Sequence, residues 1–295
     1  MSQQDESTSE EEGEEEEIAR FEHDTESFLL RKREFQFVGL PPVVLHQDFV
    51  CVEGTGGAVW RPSIQFSKFV CSEEGREHLP LSGRAVLEIS SGLGLSAIVA
   101  WHLGASPVVA TDIDSENGPM ALLARNVKQN CVRKPRAGRS PPDSLDVAPQ
   151  EPTRDTGDGR RPAGAATGAA RSDHSLSPRV QSLSWGDSAQ LAEALANFHG
   201  FGPDVVLACD VVFDDALLPA LTETLVEACC SLPTRLGTRP RLCVSHQKRN
   251  RRREDSFFSC LARRLGGGEW RMVHQQDDLL VFLFSYSEVE ARGEL

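Results

Sequence analysis

No stretch of eighteen apolar residues occurs anywhere in the 295-residue chain, which excludes a membrane-spanning helix. No two cysteines have the C-x-x-C spacing, although eight are present, at 51, 71, 131, 209, 229, 230, 243 and 260. Several lie inside apolar runs, such as Val206–Asp210 and Arg241–Ser245, so buried reduced thiols in an intracellular protein are expected rather than a disulfide or zinc framework. The eight histidines lack metal-ligand spacing, His246 and His274 read as structural, and no metal is expected. A G-x-S-x-G nucleophile elbow is also missing. The first seventeen residues contain no Lys or Arg, the opposite of a secretory or transit leader.

Those seventeen residues hold nine acids, so they carry −9 of the formal −13 and leave −4 for the rest. The chain thus reads as an ordinary globular domain with an acidic tail. This balance disfavours a binder driven by nucleic-acid phosphates. Residues 1–20 are expected to be disordered, because a glutamate run buries too little surface to offset ordering entropy. A second aperiodic stretch, rich in Pro, Gly, Ala and Arg, runs over about 132–178 and reads as a disordered insertion. The expectation is one domain over 21–295, interrupted by that insertion.

The remaining sequence alternates strand and helix patterns. Glu34–Phe37 and Pro42–Phe49 read as a hairpin. Strands are expected at Arg84–Ile89, Pro107–Thr111, Arg179–Leu183, Pro203–Cys209 and Arg241–Ser245. Helices are expected from the Gly-rich turn to Leu103, then at Asn117–Asn130, Asp215–Cys230 and Glu254–Leu265. Glu269–His274 and Leu279–Ser285 form a closing hairpin. This order predicts an α/β fold, a Rossmann-like doubly wound seven-stranded sheet, mostly parallel, with an antiparallel C-terminal hairpin strand.

Chemistry concentrates in Val86–Leu95, where Gly92 and Gly94 let the backbone turn sharply between strand and helix and approach a ligand. Asp112 follows Gly92 by twenty positions at the tip of the next strand, where a carboxylate can take a ribose diol. The same glycines satisfy the G-x-G-x-x-A form of NAD(P) sites. Glu88 argues against that reading, because an acid suits a cationic ligand better than a pyrophosphate.

Four segments then resemble the class I, seven-β-strand S-adenosylmethionine-dependent methyltransferases, and within them the methyltransferase-like group that modifies protein lysines. They are Gly57-Ala-Val-Trp60, Glu88–Leu95, Ser184-Trp185-Gly186-Asp187 and Cys209-Asp210-Val-Val-Phe213. Two positions depart from the family pattern: Ser90 replaces the first motif glycine and Phe213 stands where Tyr is commoner. The resemblance implies S-adenosylmethionine as cofactor, held by Trp60, Glu88, Ser90, Gly92, Gly94, Asp112, Trp185 and Cys209. It places Asp210 and Phe213 at the catalytic, acceptor side.

The expected partner is a protein substrate, acidic-surfaced or chaperone-like, with no membrane and no nucleic acid, for a monomeric enzyme of the cytoplasm or of cytoplasm and nucleus. Lys248–Arg253 is a dense basic run that reads as a solvated loop, a nuclear import signal or a dock for an acidic substrate. An NAD(P)-dependent oxidoreductase and a non-catalytic methyltransferase-fold binding module are the competing functions. Asp210 also has a competing reading, as a cap for a helix beginning near Asp214.

Overall fold

A computed structural model describes residues 27–52, 54–132 and 177–286. The acidic tail and nearly all of the expected insertion lie outside the described residues. Two strands, β1 (Lys32–Phe35) and β2 (Val43–His46), pair antiparallel as a separate ribbon. β1 has the expected length but lies two residues earlier, because Phe37–Leu40 closes as a turn with Gly39 at φ +78°, and β2 is shorter than the expected Pro42–Phe49.

The main sheet has seven strands: β3 (Val86–Ile89), β4 (Val108–Asp112), β5 (Arg179–Ser182), β6 (Val205–Cys209), β7 (Arg241–Gln247), β8 (Gly268–Gln276) and β9 (Leu279–Tyr286). Their order is β5-β4-β3-β6-β7-β9-β8. The first five run parallel, and β9 enters antiparallel between β7 and β8. The fold is therefore the expected mostly parallel α/β sheet with an antiparallel C-terminal hairpin.

Helices cover both faces, which is why every residue of the central strands β3, β4 and β6 is buried. On one face lie α1 (Arg61–Cys71), α3 (Leu95–His102) and α4 (Met120–Asn130), whose Phe66, Phe69, Ile98 and Leu123 pack with Val86 and Val205. On the other lie α5 (Ser188–Ala196), α6 (Leu218–Cys230) and α7 (Arg251–Arg264), whose Leu191, Leu225 and Leu261 pack with Leu87 and Val206. A short α2 (Glu73–His78) follows α1. Successive side chains of β3 and β6 thus alternate between two cores. Truncating a fully buried ring such as Phe66 to Ala would cost about 3–5 kcal/mol.

Several helix boundaries differ from expectation. α4 starts at Met120, because a turn closed by Gly118 N–H to Ser115 O precedes it. α6 starts at Leu218, after a turn in which Asp214 accepts from Ala216 N at 2.9 Å. α7 starts earlier than Glu254: Asn250 caps it by accepting from Arg253 N, while the Glu254 carboxylate reaches back to Asn250 N. Three helices, α1, α2 and α5, did not emerge from the sequence pattern. Trp60, the N-cap of α1, makes no side-chain cap, so Pro62 in the first turn was the N-terminal signal on offer.

No helix among the described residues is long and apolar enough to cross a membrane. Five cysteines are buried, while Cys51 and Cys230 are exposed, so burial holds for most of the thiols but not for all.

Candidate functional site

In an open α/β sheet, ligands bind beyond the carboxyl ends of the strands, where the strand order reverses. Here the reversal lies between β3, whose next strand in sequence pairs on one side, and β6, which pairs on the other. The ends of both strands carry the same conformational mark. Ser90 and Asp210, one residue past β3 and β6, have φ of +56° and +57°. Left-handed backbone is unfavourable for non-glycine residues and tends to gather at functional sites.

A narrow cleft opens there, lined by Val59, Trp60, Glu88, Ser90, Gly92 and Cys209, together with Ser63 and Ser91. Glu88 and Cys209 face it because they share the strand parity that points toward α1 and α3. Gly92, at φ +53°, has no heavy atom nearer than 3.8 Å to where a side chain would begin, so its backbone lies open to the cleft. Gly94 serves packing instead. At φ +85° it starts α3, and a Cβ there would sit 2.6 Å from Leu123 Cδ1 on α4.

Glu88 is fully buried, and burial pushes its carboxyl up to about 7 against the nearby Ser91 and Ser96 hydroxyls and the Ala97 amide. The Ala97 N–H donates to Oε2 at 3.0 Å. Asp112 ends β4, with Oδ2 accepting from Gly92 N at 2.7 Å and Oδ1 from Ile113 N at 2.8 Å. Burial raises its pKa, and these two amides oppose that rise. Asp112 therefore also fixes the glycine turn, a role its sequence position did not reveal. Cys209 lies within 3.5 Å of the Ser96 hydroxyl, and its thiol is pushed far up by burial.

The two tryptophans flank the cleft differently. Trp60 donates to Thr55 O at 2.7 Å and leans on Phe28, with ring centroids 5.0 Å apart. Trp185 donates to the Ser90 hydroxyl at 2.9 Å and packs 6.1 Å from Phe213. Ser90 is thus bonded to the Trp185-Gly186 segment.

Asp210 does not cap a helix, since α6 begins eight residues later with Leu217 at its N-cap position. Its carboxylate is instead clasped by Arg249, with Nη1–Oδ1 at 2.6 Å and Nη2–Oδ2 at 2.9 Å. Arg249 and the Ser63, Ser91 and Ser96 hydroxyls are members of the site that sequence reasoning missed. Arg249 was hidden within a basic run, and the serines within ordinary helix and turn sequence. No group of three His, Cys, Asp or Glu side chains suited to a metal ion forms among the described residues.

The sequence matches no family model and no curated protein. Solved structures resemble its chain path. Ribosomal protein L11 methylase from Lactobacillus delbrueckii subsp. bulgaricus has a TM-score of 0.43 and 14% identity, over 82% of this chain and 84% of that one. A SAM-dependent methyltransferase from Agrobacterium tumefaciens gives 0.46 and 11%, over 88% and 71%. Magnesium protoporphyrin IX methyltransferase from Synechocystis PCC 6803, with bound SAM, gives 0.38 and 13%, over 72% and 74%.

Proposed function

We propose that the protein is an S-adenosylmethionine-dependent methyltransferase that modifies lysine side chains of a protein substrate. One observation carries the reading. Four segments far apart in sequence, around Trp60, Glu88–Leu95, Trp185 and Cys209–Asp210, meet at the switch point of the sheet.

The cleft fits the cofactor. Gly92 leaves open space at the turn, and the buried Glu88 carboxyl faces the cleft, where a cation would meet it. Glu88 would hold the ammonium and Asp112 the ribose diol, using lone pairs left over from Gly92 and Ile113. Trp60 and Trp185 would bound the two sides. When bound, S-adenosylmethionine supplies a methyl group on a positively charged sulfur.

The acceptor side falls to Asp210 and Phe213. A lysine amine has an unperturbed pKa of about 10.4 and must shed its proton before it can attack. The Phe213 and Trp185 rings, 6.1 Å apart, would disfavour a charged amine placed beside them, and the Asp210 carboxylate, held by Arg249, would orient its lone pair. The same clasp favours one rival, a methyltransferase fold that binds donor without transferring it.

Incubating the protein and a cell extract with methyl-tritiated S-adenosylmethionine tests both readings. Label in a protein, recovered as methyl-lysine after hydrolysis, is expected. Donor binding without any transfer would favour the rival. Label in RNA or on another residue would overturn the acceptor, and no donor binding would overturn the function.

A further inference from the structure

Past the cleft, the carboxyl edge of the sheet continues on the β7 side as an open groove. It is lined by Arg61, Lys248, Arg249, Arg251, Asp277 and Asp278. Groove and cleft are joined at two points. Arg61 directly follows Trp60, and Arg249 clasps Asp210, which directly follows Cys209.

The groove is firmly built. Glu254 accepts from the backbone N–H groups of Arg249 and Asn250 at 2.6 and 2.8 Å, and Lys248 N donates to Asp278 O at 2.8 Å. Burial opposes the Glu254 charge, but His246 and these amides outweigh it and hold the carboxyl down at about 2. The Ser245 hydroxyl donates to Pro62 O at 2.8 Å, which pins the start of α1, and hence Arg61, over β7.

Its charges are unequally occupied. Asp210 is neutralised by Arg249. Asp278 accepts from Gln247 at 2.8 Å and lies 3.5 Å from Arg61. Lys248 is exposed, and no ion pair engages it among the described residues. Arg251 faces only Asp255 at 3.5 Å, with both side chains mostly in solvent, a pair too open to hold it. Lys248 and Arg251 are left against the single carboxylate of Asp277.

We propose that this groove docks an acidic stretch of the protein acceptor and leads the target residue toward the cleft, an inference that rests on the methyl-donor reading of that cleft. A peptide fits better than a nucleic acid for three reasons. A polynucleotide carries a phosphate at every step and would also press against Asp277 and Asp278. No aromatic side chain lines the groove to stack a base, among the described residues. A peptide can place separate carboxylates opposite Lys248 and Arg251 and keep uncharged atoms beside Asp277 and Asp278.

Fluorescence anisotropy with labelled decaglutamate tests the proposal, against a neutral Gly-Ser peptide and oligothymidylate of equal length. It is run on the full chain and on a full chain with Glu10–Glu12 and Glu14–Glu17 changed to Gln, which removes competition from its own acidic N-terminus. Decaglutamate should bind in preference to both controls. Lys248→Glu combined with Arg251→Glu should weaken it roughly tenfold or more. The milder Lys248→Gln and Arg251→Gln keep the test valid if the reversal disturbs folding, with losses of about threefold each.

Equal binding by natural and altered chains, or no binding in either background, overturns the proposal. Tighter, Lys248- and Arg251-dependent binding of oligothymidylate overturns the peptide assignment. S-adenosylmethionine is titrated on the same samples. Failure of the natural chain to bind it strikes the methyltransferase reading, whereas loss of only the peptide signal strikes this one.

Discussion

The Trp185 indole donates to the hydroxyl of Ser90, 95 residues earlier in the chain, at 2.9 Å. Ser90 does so from a left-handed backbone at φ +56°. A non-glycine residue pays about 1 kcal/mol for that conformation, and a hydrogen bond returns about 1 kcal/mol. Ser90→Gly removes both and should leave stability within about 1 kcal/mol of the natural chain. Ser90→Ala loses the same bond but keeps the strain, so it should be about 1 kcal/mol less stable than Ser90→Gly. Urea unfolding of the three chains checks the order: equal stability of the Ala and Gly variants would show that the left-handed strain costs nothing, and an Ala variant as stable as the natural chain would show that the bond contributes nothing.

Glu88 predicts a pH effect whose sign follows from burial. Its folded pKa of about 7 lies above the ordinary 4.5, so the folded state holds the proton more tightly than the unfolded chain. Its contribution is most favourable below about pH 4.5 and is lost as pH rises toward 7, by an amount on the order of 3 kcal/mol. Glu88→Gln should flatten stability between pH 5 and 8 and gain on the natural chain at the alkaline end. A cationic ligand reverses the preference, so S-adenosylmethionine should bind more tightly at pH 8 than at pH 6 and release a proton. Calorimetry in buffers of different ionisation enthalpy reads that proton, and a pH-independent affinity would count against Glu88 as the ammonium site.

Asp112 is expected to matter twice. Asp112→Ala removes the acceptors for a ribose diol and strands the Gly92 amide, so donor affinity should fall by about 2–4 kcal/mol and the melting temperature should fall too. Asp112→Asn keeps one oxygen for Gly92 and should lose less of both. Unchanged affinity in a folded Ala variant would remove Asp112 from the cleft's binding set.

At the acceptor side, Asp210→Asn should leave donor affinity intact and lower methyl transfer roughly a hundredfold. Asn still accepts from one Arg249 nitrogen, so the loop should hold its place. Normal turnover would assign Asp210 to the Arg249 clasp alone.

The chain ends flanking the expected insertion meet, with the Ser177 hydroxyl donating to Cys131 O at 3.3 Å. A short Gly/Ser linker in place of residues 133–176 can therefore span the gap and should keep the melting temperature within a few degrees. A large drop would show that the segment contributes packing.

Much of the fold was legible because parallel strands buried on both faces form apolar runs, and Val86–Ile89, Val108–Asp112 and Val205–Cys209 are such runs. Gly92, Gly94 and Asp112 were legible as well, since a strand-to-helix turn needs those residue types at fixed offsets. α1 was not, because Trp60 provides no cap. α5 was missed although Asp187 does cap it, accepting from Gln190 N at 3.0 Å.

The sequence by itself determined the order of the main-sheet strands, the sheet class and the glycine turn, because these depend on local periodicity and backbone permissiveness. Only the tertiary structure decided the partners: Arg249 on Asp210, Trp185 on Ser90, the Gly92 amide on Asp112, and Gly94 against Leu123. Each joins residues at least twenty positions apart, and no local propensity encodes which side chains strand order and helix packing will bring within 3 Å.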